Sequence, residues 1–339
     1  MDISLKVSTV KKTKSVKKTT VMEYAPKLAE AQFETNRMDA PGKFTFSLIE
    51  DSGIAIKEGS CIRVQLDGKD FFKGYVFTAE RSKNRKVKYT AYDQLRYLKA
   101  KASYTFVAAS LEDIIKKIAK DFNLTVGSLA KTGYKFPSLI KENESCLDII
   151  FDALSQTIIQ TGKIFVFYDD FGKLTLKEAK KMKWNRLIGS RNELSDYTYK
   201  RDIDKDTYNR IKLVRPNKET GKADTYVYED TDNIKQWGLL QYYDTVDENM
   251  NKAQIDEMCK TYLKYYNKVW QTLKLKNIMG HQKIRAGWII PVQIDEIDST
   301  NVTRYFLAEK VSHHITNNTH TMDIEVKDFN DLGVTDGLT

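Results

Sequence analysis

One stretch of this chain is written twice, and no other feature restricts the fold as much. IKEGSCIRVQLD (Ile56–Asp67) lies over IRAGWIIPVQID (Ile284–Asp295) without a gap. Ile56 meets Ile284, Gly59 meets Gly287, Ile62 meets Ile290 and Val64 meets Val292. Past a longer turn in the second copy, FFKGYVFTAERSKNRKVKYTAYD (Phe71–Asp93) lies over FLAEKVSHHITNNTHTMDIEVKD (Phe306–Asp328), again ungapped. Here Phe71 meets Phe306, Val76 meets Val311, Val87 meets Met322, Tyr89 meets Ile324, Ala91 meets Val326 and Asp93 meets Asp328. Chance could supply one such block; two in the same order indicate a duplicated structural unit.

Apolar residues alternate with polar ones in both copies, the period of a half-buried strand. The unit reads as strand, glycine turn, strand, turn, strand, hairpin, strand. An antiparallel meander of this kind must hide its edges, and closing into a small barrel is the natural solution. Gly59 and Gly287 are expected at a turn or bulge with positive φ. The expected structural residues of the first copy are Ile56, Gly59, Ile62, Val64, Phe71, Gly74, Val76, Tyr89 and Asp93. Those of the second are Ile284, Gly287, Ile290, Val292, Phe306, Val311, Met322, Ile324 and Asp328.

Between the copies the period changes to that of helices. Ser110 and Asp113 form a capping-box pattern ahead of LEDIIKKIAKDF, and a second helix starts at Ser145 and ends at Gly162. KIFVFYDD and KLTLKEA make a hairpin around Phe171–Gly172. A further helix over 249–268 carries the stripe Ile255, Met258, Cys259, Tyr262, Leu263 and Tyr266, the spacing of a docking face. The expected class is α+β: two similar small antiparallel barrels in tandem, with an intervening α/β unit and an added helix. The domains are residues 1–100, 101–195 and 196–339, the last with an inserted hairpin and helix at about 216–268.

The chain's chemistry is sparse. Of four histidines, His313, His314 and His320 flank one hairpin tip. Adjacent strand residues point to opposite faces, so His313 and His314 cannot ligate one ion. A four-residue TNNT loop pairs His313 with Met322 and Ile315 with His320, leaving His313 and His320 as diagonal neighbours on one face. The first copy has no histidine at the matching positions, so scaffold is the preferred reading. Cys61, Cys146 and Cys259 are far apart and form no CxxC, which favours reduced thiols. Cys146 opens a helix but has no histidine near it in sequence. Asp169–Asp170 and Asp202/Asp204/Asp206 pair carboxylates, yet DIDKD lacks the glycine and distant glutamate of a calcium loop. No phosphate loop, HExxH or GxSxG is present. No stretch approaches the ~20 apolar residues of a membrane span, and no signal peptide is visible at the N-terminus. The net charge is +9, with Lys11, Lys12, Lys14, Lys17 and Lys18 close together. Contact with nucleic acid or an acidic surface is one reading; lysines protecting a solvated edge strand is the preferred one. Neither a catalytic residue, a metal site nor a cofactor is expected.

FFKGYV and YTAYDQLRYLKAKASYTF, with YAPKLAEAQFETNRMDAPGKFTFSL before them and HTMDIEV near the end, resemble the baseplate hub proteins of contractile phage tails and phage-tail-like bacteriocins, of the PBSX type. The resemblance covers nearly the whole chain, and its motifs are turn and packing signatures. It implies a non-enzymatic structural hub: a homotrimer whose six barrels form a pseudo-sixfold ring joining the tail tube to the central spike. Implied partners are the spike, the tube or tube-initiator protein, other baseplate proteins and the tape measure protein. The implied location is the baseplate of a virion or tail-like particle assembled in the host cytoplasm. The last residues follow the second copy directly, so a separate spike chain is expected. The rival readings are the hub of another contractile injection machine, a tail-associated peptidoglycan hydrolase and a nucleic-acid-binding module.

Overall fold

A computed structural model describes residues 2–12, 17–24, 28–49, 56–83, 85–189, 194–217, 221–295, 297, 303–316 and 319–328. Lys14, Gly53, the tip residue Asn84, the turn residues 218–220 and Asn317–Asn318 lie outside these.

The first copy contributes β1 (Ile3–Lys12), β2 (Lys17–Glu23), β3 (Leu28–Asn36), β4 (Lys43–Ile49), β5 (Cys61–Leu66), β6 (Lys69–Arg81) and β7 (Lys86–Tyr92). Alternation does what it should here: Phe44, Phe46 and Leu48 on β4 are buried, as are Ile62, Val64 and Leu66 on β5. Leu5, Val7, Phe33, Phe71, Phe72, Val76, Val87, Tyr89 and Ala91 complete this core.

The middle of the chain forms β8 (Lys101–Ser110), α1 (Leu111–Asp121), β9 (Val126–Leu129), β10 (Lys135–Ser145), α2 (Cys146–Thr161), β11 (Phe165–Asp169) and β12 (Leu174–Glu178). Ser110 and Asp113 make the reciprocal capping box of α1, and Gly162 ends α2 in the left-handed region at φ 63°. α1 and α2 bury Leu111, Ile114, Ile115, Ile118, Ile150, Phe151 and Leu154 against β11 and β12 in a separate core.

Next come β13 (Ile188–Gly189), β14 (Asp196–Asp202), β15 (Arg210–Asn217), β16 (Lys222–Glu229), α3 (Thr231–Trp237), β17 (Gln241–Thr245) and α4 (Lys252–Tyr266). Strands β16, β15 and β17 form their own small sheet. Ile255, Cys259 and Tyr262 on α4 pack on Ile211 and Leu213 from β15, so half of the apolar stripe seen in the sequence is a fully buried docking face. The second copy ends the chain with β18 (Trp270–Met279), β19 (Ile289–Gln293), β20 (Arg304–Thr316) and β21 (Thr319–Asp328). Its core gathers Leu273, Leu275, Ile278, Ile284, Ile290, Val292, Phe306, Val311, Met322 and Ile324. No helix among the described residues is long and apolar enough to cross a membrane.

The duplication appears in the strand order. One unit runs β3-β4-β7-β6-β5, the other β14-β18-β21-β20-β19, each neighbour pair antiparallel. The glycine turns match bond for bond. Gly59 donates its N–H to Val76 O and Val76 donates back to Ser60 O; Gly287 donates to Ala308 O and Ala308 donates back to Trp288 O. Both glycines have positive φ, 78° and 91°.

Two expectations need correction. First, the second block is not ungapped in space. The bulge of β6 on β7 falls between Val76 and Thr78, and that of β20 on β21 between Ala308 and Lys310. Val76 therefore corresponds to Ala308, not Val311, and Gly74 rather than Phe71 corresponds to Phe306. The second half of the block, Val87/Met322 to Asp93/Asp328, keeps its equivalence. The offset is absorbed at the hairpin tip: residues 82–86 separate Arg81 from Val87, whereas residues 314–321 separate His313 from Met322. Sequence pattern could not fix this register because both faces of β20 are covered. Phe306 belongs to the second unit's core and Leu307 to the α/β core, so the polar–apolar alternation is lost.

Second, the ladder among the described residues does not close into two barrels. It is one 13-stranded sheet, from β14 at one end to β2 at the other. The physical reason is that the longer hairpin of the second unit carries β20 onto the edge of β3, from Lys310↔Asn36 to Thr316↔Glu30. That pairing satisfies β3's free backbone groups and leaves it no need to close on its own unit. At the other end, β1 and β2 are joined through Lys11↔Lys18 and Lys12↔Lys17, so these four lysines lie on the terminal strands.

Candidate assembly surface

The joint between the two units combines an aromatic centre with polar ties. Phe33 on β3 packs against Phe71 and Phe72 with ring centroids 5.1 and 5.2 Å apart, and stacks on His313 of β20 at 6.0 Å. Ile315, from the extended part of β20, is buried in the first unit's core rather than in its own. Around this apolar centre run polar ties. Arg37 Nε donates to Glu309 at 2.9 Å with both side chains largely buried, Lys310 pairs with Glu34 at 2.8 Å, and Ala286 N–H donates to Thr35 Oγ1 at 3.0 Å. Burial works against the Arg37 charge, but Glu309, together with Tyr265 and Asp39, outweighs it and holds the guanidinium pKa above its usual value.

The histidines belong to this joint. His313 pairs with Met322 and Ile315 with His320. His313 Nδ1 lies 2.9 Å from His320 Nε2, and His313 Nε2 lies 2.8 Å from Ile284 O. One tautomer satisfies both contacts with neutral rings: Nε2–H donates to the carbonyl and Nδ1 accepts from His320. Burial, then the neighbouring His320, pushes the His313 pKa down to about 3; burial also lowers His320 to about 4. His314 turns to the opposite face toward Asp323. Among the described residues no group of three or more histidine, cysteine or acidic side chains could hold a metal ion.

A second junction joins the first unit, the α/β unit and the second unit. Asp93 accepts from Gly42 N–H at 2.8 Å and Leu95 N–H at 3.0 Å. Asp169 accepts from Gly172 N–H at 2.6 Å and Gln94 Nε2 at 2.9 Å, while Arg285 Nη1 donates to Asp169 O at 2.6 Å. Burial, and for Asp93 also the Asp169 charge, raises both carboxyl pKa values. The cavity beside them measures only about 20 Å³. Two carboxyl groups enclosed and each held by two donors in this way fix the local geometry. The repeat partner Asp328 is likewise buried and is held by Arg304. In the sequence the Asp169–Asp170 pair could suggest glycosidase acids, with a solvated turn the preferred reading; the burial of Asp169, and its meeting with Asp93 and Arg285 from distant parts of the chain, leave no periodic trace there. A larger cleft of about 320 Å³ opens between α2 and α4, lined by residues that include Glu257, Lys260 and Lys264 but no histidine or cysteine.

The remaining structural residues fall as follows. Ile56, Ile62, Val64, Phe71, Val76 and Tyr89 lie in the first core, and Ile284, Ile290, Val292, Phe306, Val311, Met322 and Ile324 in the second. Gly59, Gly74 and Gly287 sit at close approaches or turns. A Cβ on Gly74 would lie 2.3 Å from Tyr92 O, and one on Gly287 would lie 2.3 Å from Val166 Cγ1, whereas Gly59 faces open space. All three cysteines are free thiols, Cys146 and Cys259 buried; burial raises the pKa of each, the opposite of an activated nucleophile.

Comparison with known proteins agrees with this architecture. The chain is 32% identical to YqbQ of Bacillus subtilis over 305 residues, 88% of this chain and 91% of that one. It is 29% identical over 318 residues to the phage-like element PBSX protein XkdQ of the same organism, covering 91% and 95%. Among solved structures, a tail protein from Neisseria meningitidis superposes with a TM-score of 0.68 at 13% identity, over 98% of both chains. An Escherichia coli type VI secretion component, described as structurally similar to bacteriophage T4 tail proteins gp27 and gp5, superposes with a TM-score of 0.55 at 10% identity, over 96% of this chain and 76% of that one. The profile of the YqbQ-like family matches residues 31–327, and the chain belongs to that family.

Proposed function

We propose that this protein is a structural baseplate hub of a contractile tail. Three copies form a ring of six similar units, and the ring joins a sixfold tail tube to a threefold central spike. The observation that carries this reading is the duplication: two units with the same strand order and the same glycine-turn hydrogen bonds in one chain. A C3 object whose subunits each contain two copies of one module offers a near-sixfold surface. The names of its relatives XkdQ and the Neisseria tail protein support the tail assignment. In this reading the units are barrel-like arcs whose edges are closed by neighbours in the ring rather than within one chain. The α/β unit and the small sheet with α4 lie outside the ring and face the spike or the surrounding baseplate. The partners are the spike, the tube or its initiator and other baseplate proteins, with the tape measure protein at the lumen, and the place of action is the baseplate of a virion or tail-like particle. The enclosed carboxylates and neutral histidines support a non-enzymatic role. The fold likeness to a type VI secretion component favours one second reading, the hub of a related injection machine.

Native mass spectrometry of the purified chain, alone and with its co-expressed spike, tests the proposal. A trimer that takes up one trimeric spike is the expected result. A monomer in both samples would contradict it.

A further inference from the structure

The duplication exposes an asymmetry at the edges of the sheet. On the β19 side of β20, residues beyond β19 are paired by β3. On the corresponding side of β6, residues beyond β5 have no strand partner among the described residues; the β5 ladder runs only from Lys69 to Tyr75, with the glycine turn reaching Val76. Thr78, Ala79 and Glu80 are all exposed there. At the far end of the sheet, β14 pairs only with β18 among the described residues, although its counterpart β3 is paired on both sides. Among the described residues each chain thus shows one unpaired edge of the β20 type and one of the β3 type.

We infer that these two edges bind each other between chains: the exposed half of β6 takes β14 of a second copy, repeating the β20–β3 joint. The inference rests on the ring reading above and names the contact that would build it. The register follows from the equivalences. Phe44 and Leu273 hold the same place on Ala91 and Val326, so Phe33 corresponds to Tyr199, Glu34 to Lys200, Thr35 to Arg201 and Asn36 to Asp202. Thr78 corresponds to Lys310 and Ala79 to Val311 across the matching bulges. Lys310↔Asn36 then becomes Thr78↔Asp202, and the pairs Ala79↔Arg201, Glu80↔Lys200 and Arg81↔Tyr199 follow.

Side-chain chemistry agrees with that register. Glu80 falls directly opposite Lys200, an opposite-charge cross-strand pair. Lys200 is 61% exposed, its present contact being Asp202 on its own strand. Tyr197 and Tyr199 are only partly buried at the rim of the second core, whereas their counterparts Ala31 and Phe33 are fully covered by β20. A strand laid along β14 would cover them in the same way. The backbone is ready for it. Arg37 N–H donates to Glu309 O, so alternate residues of β3 turn their backbone groups to β20; by equivalence Tyr199 and Arg201 turn theirs outward. The contact is head-to-tail, the type that closes into a ring when the rotation per copy allows.

Glu80 and Lys200 would form a non-hydrogen-bonded pair with Cα atoms about 4.5 Å apart, a separation a disulfide can span. The full-length E80C/K200C variant, oxidised mildly and run without reductant, should give covalent dimers and trimers. The wild type, each single variant and the offset pair T78C/K200C should stay mostly uncross-linked. Within one chain β6 and β14 stand seven strands apart in the ladder, so a disulfide that leaves the mass monomeric would overturn the inference. Charge reversal supplies an independent readout. E80K and K200E should each lower the oligomeric fraction at least several-fold, and the double variant should restore it. A native trimer that neither cross-links nor responds to the reversals would overturn this contact while leaving the hub reading intact. A chain that stays monomeric throughout would overturn both.

Discussion

At the scale of single residues, the protein spends its chemistry on holding joints rigid. The two repeat glycines make the point, because they share a turn but not a setting. Gly59→Ala meets only the strain of a left-handed backbone, about 1–2 kcal/mol. Gly287→Ala meets the same strain and also drives a methyl group into Val166. Thermal melts should therefore show a clearly larger loss for Gly287→Ala, and an equal loss at both sites would contradict the packing described. Gly74→Ala, aimed at the carbonyl of Tyr92 and at the buried ring of Phe72, should cost roughly 1–3 kcal/mol by the same assay. His313 makes a prediction in pH. Its folded pKa lies near 3, below the unfolded value of about 6.5, so the unfolded chain takes up the proton first as pH falls. Stability is full above about 6.5 and declines below it, at up to about 1.4 kcal/mol per unit from this group. Asp93 and Asp169, with raised pKa values, act in the opposite sense: they favour the folded state as pH falls from their folded values toward about 4. The difference between wild-type and His313→Gln denaturation curves isolates the histidine. It should narrow on acidification; a constant gap between pH 7 and 5 would mean that the folded imidazole titrates as an exposed one, and a widening gap that it is charged in the folded state.

At the scale of elements, the hairpin β20–β21 has the most to answer for. Its extra length takes Ile315 out of its own unit and into the core of the other. Ile315→Ala should cost about 2–5 kcal/mol, and the loss should be felt in the first unit. Hydrogen exchange should quicken in β3 and β4 more than in β18, and the reverse pattern would argue against the fused sheet. Much of this level was legible beforehand. The capping box at Ser110, the stop at Gly162, the hairpin around Phe171 and the docking face of α4 are written in local spacing, and local spacing is what a sequence displays. The three-residue slip between β6 and β20 was not legible, because Phe306 and Leu307 are buried on opposite faces and no alternation remains to mark the register. α3 was missed as well: it is a short helix of seven residues with no buried side chain and therefore no apolar stripe. The Asp93–Asp169–Arg285 cluster was invisible for a different reason, since its members come from three separate units and only burial relates them.

At the scale of the whole molecule, one polypeptide lays two copies of a β module side by side and, among the described residues, leaves one strand edge unpaired in each copy. The duplication could be read from Ile56–Asp67 over Ile284–Asp295. How the units are joined could not, because strand edges meet through backbone groups that every residue carries. The same chain-internal joint, repeated between chains, would turn a pair of units into a closed ring. A cryo-EM reconstruction of the assembled protein with its spike tests this most directly. The account predicts threefold symmetry, six units at one radius and a strand ladder that continues from β6 of each subunit into β14 of the next. A single-subunit particle, or a trimer whose two units lie at different radii, would contradict it.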